Sequence, residues 1–127
     1  MRNRNGRGCG CYQERHNRFL EPSILYLLWQ KRKHGYEIIA ELPEFGFFNG
    51  PVDPGAIYRT LRHLEEVSLV LSEWDTSGTG PAKRVYAVTE LGKEHLGLWA
   101  NALRQRCEAL NSLLNKIDLI LDDSTSN

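Results

Sequence analysis

The chain has 127 residues, 41% of them hydrophobic, enough for one small domain with its own core or one domain with a long appended helix. Its 16 basic and 16 acidic side chains cancel at neutral pH, which argues against a strong non-specific nucleic-acid binder and leaves any such contact to a local patch. No apolar run is long enough to span a bilayer and the three cysteines follow no signal-peptide pattern, so the expectation is a cytoplasmic chain with no membrane partner.

Residues 1–18 hold five arginines and one acid and no apolar face, the composition of a flexible arm able to touch phosphate. Cys9, Cys11 and His16 stand at C-x-C-x4-H spacing. Three donors fall short of the four that a structural zinc takes, so the thiols read as incidental, with no metal and no cofactor expected. Glu21 to Lys33 is predicted as a first helix. Ile24, Leu25, Leu27, Leu28 and Trp29 make it apolar on more than one side, which implies burial against its own domain and against a partner. Lys31 to Lys33 would suit the negative end of its dipole. His34 reads as a joint residue rather than a ligand, and Gly35 as a left-handed helix stop. Tyr36 to Leu42 is a short second helix stopped by Pro43. Phe45, Phe47 and Phe48 in the following loop read as core plugs.

The next stretch carries the sharpest signal. Asp53 can cap a helix that opens with Pro54, since its carboxylate accepts from the free N–H groups of the first turn. Ile57, Leu61 and Leu64 share one face by helical spacing. Tyr58, Arg59, Arg62 and His63 project from the other, where arginine can grip guanine or phosphate with two hydrogen bonds. The bland alternative is a solvated face on which Arg59 and Arg62 pair with Glu66. Glu65 and Glu66 would be repelled by phosphate, so the first half of the helix should do the docking. Leu69 to Trp74 and Lys83 to Val88 read as two strands joined by DTSGTGPA, Asp75 to Ala82, a polar Gly-rich tip. Thr76, Ser77, Thr79, Lys83 and Arg84 are its phosphate candidates, and Tyr86 reads as packing.

Thr89 to Leu121 is predicted as one long helix capped by Thr89, followed by a polar tail over 122–127. Leu96, Leu103, Leu110 and Ile117 recur every seven residues, and Trp99, Leu113 and Ile120 share the second heptad position, interrupted by Arg106. At 1.5 Å per residue the helix would be roughly 45–50 Å long, too long for one small domain to cover. A second copy is the simplest partner, and two reading helices one DNA turn apart would meet a two-fold symmetric site.

HGYEI at 34–38, PGAIYRTLRHLEE at 54–66, SEW at 72–74, GPAKRVYAVTELG at 80–92 and the long helix after them stand in one order. On these motifs the chain, over roughly Phe19 to Leu121, resembles the PadR family of bacterial transcriptional regulators. FGF at Phe45 to Phe47 and WDTS at Trp74 to Ser77 also resemble members described as polyhydroxybutyrate-responsive repressors. The resemblance implies a mainly α (α+β) fold: an arm over 1–18, a winged helix-turn-helix over 19–88 and a dimerisation helix over 89–121. It also implies a homodimeric repressor of a double-stranded DNA operator, released by a small aromatic or amphipathic effector. Trp29 and Trp99 are apolar enough to line a pocket for it, but core or interface packing is the favoured reading of both indoles. The alternative is a winged-helix interaction module that binds protein, a granule surface or RNA. With no nucleophile–base pair, phosphate loop or paired carboxylates in a recognisable frame, an enzyme is not expected.

Overall fold

The computed structural model describes residues 18–46, 48 and 50–125, so Cys9, Cys11, His16 and Phe47 lie outside the described residues. The chain forms two compact units, the first running through Leu96 and the second from Gly97 onward. The elements are α1 (Leu20–Gln30), β1 (Lys33–His34), α2 (Gly35–Glu41), a 3-10 turn (Leu42–Glu44), α3 (Pro54–Glu66), β2 (Val70–Asp75), β3 (Lys83–Val88) and α4 (Glu90–Thr125). The three strands form an antiparallel sheet in the order β1-β3-β2.

The core of the first unit is assembled from one stripe of each element. Leu20, Ile24, Leu25, Leu27 and Leu28 of α1 meet Ile38 and Leu42, and all are buried with Ile57, Leu61 and Leu64 of α3 and Val70 of β2. The three α3 residues are fully enclosed. Each contributes about 1.5–3 kcal/mol relative to an exposed position, which fixes how the helix is rotated and therefore which residues it shows to solvent. Phe48 is buried as a plug of this core and Phe45 packs at its edge, as expected of the aromatic loop.

Several local expectations hold and several need correction. Asp53 caps α3 by accepting the Ala56 N–H at 3.2 Å, with Pro54 at the first helical position. Thr89 caps α4 by accepting the Gly92 N–H at 2.9 Å. The first helix, however, ends at Gln30, and Lys33 and His34 leave it to form β1, pairing with Tyr86 and Val85. Lys33 is buried and bonds Glu41 rather than serving the α1 dipole. Gly35 does not stop α1 in a left-handed conformation; it opens α2, and Gly50 and Gly80 are the glycines with positive φ among the described residues. Its small size has another use: a Cβ there would come within 2.6 Å of the Tyr58 hydroxyl. The second helix closes one residue early, and Pro43 lies inside the 3-10 turn that continues it. β2 starts one residue later than predicted, because α3 ends in a left-handed turn at Ser68 (φ 67°). There Ser68 N–H bonds Glu65 O and Leu69 N–H bonds Leu64 O, the Schellman pattern that satisfies two terminal carbonyls. α4 continues past Leu121 to Thr125, so four residues of the expected polar tail are helical.

The second unit consists of helix. Along it Leu110, Leu113, Leu114, Ile117, Ile120 and Leu121 are exposed, from 42% at Ile117 to 67% at Ile120. Leu96, by contrast, belongs to the first unit and packs against its core. No helix among the described residues is long and apolar enough to cross a membrane.

Candidate nucleic-acid interface

With Ile57, Leu61 and Leu64 turned inward, Tyr58, Arg59, Arg62 and His63 come out on the solvent face of α3. They divide to its two sides. Tyr58 and Arg62 line a hollow shared with Glu65, Arg84 and Tyr86 on the wing side. Arg59 and His63 line a second hollow with Glu21, Ala56 and Thr60. Arg59 stands 4.0 Å from the capping carboxylate of Asp53, with both side chains about two-thirds exposed; a pair so exposed is weak and leaves the guanidinium available. Among the described residues no ion pair joins Arg59 or Arg62 to Glu66, so the bland pairing is not formed.

The wing is the β2–β3 hairpin, whose register sets Trp74 against Arg84 and Asp75 against Lys83. Thr76, Ser77 and Thr79 are exposed at its tip. Asp75 folds the tip's first turn by accepting the Ser77 N–H at 3.0 Å and its hydroxyl at 2.6 Å, and these bonds hold its carboxyl well below the usual carboxylate range. Lys83 lies over the ring of Tyr36 at 5.0 Å and Arg84 over that of Trp74 at 4.7 Å, stacking that orients both cations. Arg84 is further engaged than sequence reasoning expected. It donates to Ser72 Oγ at 2.8 Å, Ser72 donates to Glu65 at 2.7 Å, and the Arg84–Glu65 separation is 3.9 Å. Glu65 thereby accepts from Ser72 and has Arg84 beside it, which offsets part of its repulsion of phosphate. Tyr86 is packing: it is buried, and burial raises its phenol pKa.

The short helix α2 and the wing are joined through His34. Its backbone N–H donates to Glu37 at 2.8 Å, closing a capping box at the start of α2. Its ring contacts Glu37 at 3.0 Å through Nδ1 and Asp75 at 2.8 Å through Nε2. Bonding to Asp75, then to Glu37, raises the imidazole pKa above 6.5, while the His34 backbone N–H lowers that of Glu37. Tyr36, Trp74 and the His34–Asp75 contact were missed from the sequence. The His-x-x-Glu spacing at 34–37 is a capping-box signal that could have been read; the contact to Asp75, across 41 residues, has no local signal.

Of the effector candidates, Trp29 is half exposed with the Lys93 ammonium 5.3 Å from its ring centre, and Trp99 lies in the second unit. Among the described residues no group of three or more His, Cys, Asp and Glu side chains is placed to hold a metal.

The model of the Transcriptional regulator PadR-like family matches residues 24–98. The chain is 33% identical over 112 residues to the transcriptional regulator YqjI of Escherichia coli K12, an alignment that covers 84% of this chain and 48% of that protein; the chain thus spans about half the length of this relative. Among solved structures it is similar to TM0937, described as a conserved protein of unknown function and potential transcriptional factor, with TM-score 0.74 and 33% identity over 84% of this chain and 94% of that one. It is also similar to Bacillus subtilis PadR in complex with operator DNA, with TM-score 0.56 and 28% identity over 66% of this chain and 48% of that one. The fold is that of these winged-helix regulators: mostly helical, with a small three-stranded sheet and a long C-terminal helix.

Proposed function

Because this chain belongs to the PadR-like family of transcriptional regulators, we propose that it acts as a homodimeric repressor of a two-fold symmetric operator. α3 enters the major groove through Tyr58, Arg59 and Arg62, with His63 at the edge. The wing rests on the flanking backbone through Thr76, Ser77, Thr79 and Lys83, with Arg84 contributing from its stacked position. The observation that carries this reading is the exposed Arg59 and Arg62 on the outer face of a capped helix, beside a hairpin whose base presents two cations. The likeness to a PadR bound to operator DNA supports it. Dimerisation rests on Trp99, Leu103, Leu110, Leu113, Ile117 and Ile120 of the second unit, whereas Leu96 is taken up by the core of the first. Release by an aromatic or amphipathic effector near Trp29 or Trp99, and residence in the cytoplasm, follow from the same family reading. The narrower likeness to polyhydroxybutyrate-responsive members is not supported by the relatives found and adds nothing here.

The test is a gel shift on the region upstream of the chain's own gene at moderate salt. Each arginine bonded to a base is worth about 1–3 kcal/mol, so the Arg59→Ala/Arg62→Ala double variant should bind about 100-fold more weakly while melting like the wild type. Full-affinity binding by that variant would remove the reading. Two observations favour a second role, as an interaction module: net charge is zero and Arg84 is partly spent on Glu65. A module of that kind would show no sequence-selective, salt-dependent DNA affinity.

A further inference from the structure

We propose that His34 is the positioning residue that clasps the wing to the helix-turn-helix, and that a proton on its imidazole closes the clasp. The consequence for DNA rests on the operator-reading role above; the clasp itself does not. Nδ1 faces Glu37 Oε1 at 3.0 Å and Nε2 faces Asp75 Oδ2 at 2.8 Å. An ionised carboxylate only accepts, so holding both carboxylates at once takes two ring donors, which only the imidazolium has. A neutral ring turns one lone pair toward a carboxylate oxygen.

The two contacts are not equally able to retreat. Glu37 Oε1 also holds the His34 backbone N–H at 2.8 Å, so moving it would open the α2 cap. Asp75 is bonded to Ser77 through Oδ1 and to His34 through Oδ2, so it can keep the wing turn while giving up the ring. Loss of the proton therefore gives up the Asp75 contact and loosens the wing root, whose backbone stays paired in the sheet. The surroundings favour the charged form. Glu37 from α2 and Asp75 from β2 are in contact, whereas the cations stand further off. Lys83 from β3 lies over Tyr36, whose ring stacks on His34 with centroids 5.2 Å apart. Arg84 from β3 and the Tyr58 hydroxyl from α3 share the same hollow, and Lys31, before β1, acts on Glu37. The sign is fixed by linkage: with a folded pKa raised above 6.5, the contribution of His34 is complete below that value and is lost as pH rises through the folded pKa.

Proton–nitrogen NMR of the full chain tests this from about pH 5.5 to 9. The His34 ring should titrate above 6.5, and the Ser77 amide should shift with the same midpoint. His34→Gln should abolish that shift, and Asp75→Asn, which keeps a hydrogen-bonding group, should bring the His34 midpoint down toward the ordinary value. A His34 ring titrating at or below 6.5, or a Ser77 amide that ignores it, overturns the clasp. On the upstream duplex at fixed ionic strength, wild-type affinity should fall about fivefold between about pH 6.5 and 8.5, with His34→Gln flat and near the high-pH value. Equal pH profiles for the two proteins would overturn the positioning role. A wild type that binds no DNA at any pH would remove the operator reading, and the NMR titration would still decide the clasp.

Discussion

Ser68 and Gly92 show how single residues tune this fold in opposite directions. Ser68 takes the left-handed position that ends α3, φ 67°, where a Cβ costs about 1 kcal/mol. Ser68→Gly should therefore raise the midpoint of thermal unfolding, by about 0.5–1 kcal/mol of stability, since the Schellman bonds to Leu64 and Glu65 are made by backbone that the change leaves in place. Gly92, one turn into α4, lies against the Leu69 carbonyl and the Val88 side chain so closely that a Cβ would overlap the carbonyl oxygen. Backbone cannot swing aside as a side chain does, so Gly92→Ala should lower stability by about 1–3 kcal/mol. Thermal melts followed by circular dichroism check both; a destabilised Ser68→Gly or an unchanged Gly92→Ala would contradict the local geometry. Neither role was legible in advance. Serine carries no left-handed signature, and the demand on Gly92 comes from Leu69, far off in sequence.

At the scale of elements, the second-unit helix leaves a row of large apolar side chains exposed. Leu110, Leu113 and Ile117 are each more than 40% exposed, and covering such side chains stabilises by about 1.5–3 kcal/mol apiece. Leu113→Ser with Ile117→Ser should leave the first unit folded and shift the protein to monomer in sedimentation equilibrium. A dimer of undiminished strength would mean that another surface pairs the copies. This stripe was readable because heptad spacing is a local property. So were α3, whose Asp53–Pro54 start and Ile57–Leu61–Leu64 face need no distant partner, and the β3 strand, bracketed by turn residues. What stayed hidden is what depends on other elements. β1 is two residues long and exists only because Lys33 and His34 pair with Tyr86 and Val85. Arg84 looked free because Ser72 and Glu65, which hold it, lie on other elements. Tyr36 and Trp74 gained their place from cations that reach them across the fold.

At the scale of the molecule, a chain with no net charge holds DNA best by concentrating cations on one face, and the proposed second copy would double that face. Arg59, Arg62, Lys83 and Arg84 stand on α3 and the wing, while Glu65 is turned to internal bonds. Few phosphate contacts per copy imply a modest salt dependence, since each neutralised phosphate contributes about one unit to the logarithmic slope. Hydroxyl-radical footprinting of the upstream region is the most direct test of the whole account. It predicts two protected patches related by a dyad and centred about one helical turn, 10–10.5 base pairs, apart, both lost in the Arg59→Ala/Arg62→Ala variant. A single patch without symmetry, or two patches untouched by that variant, would contradict it.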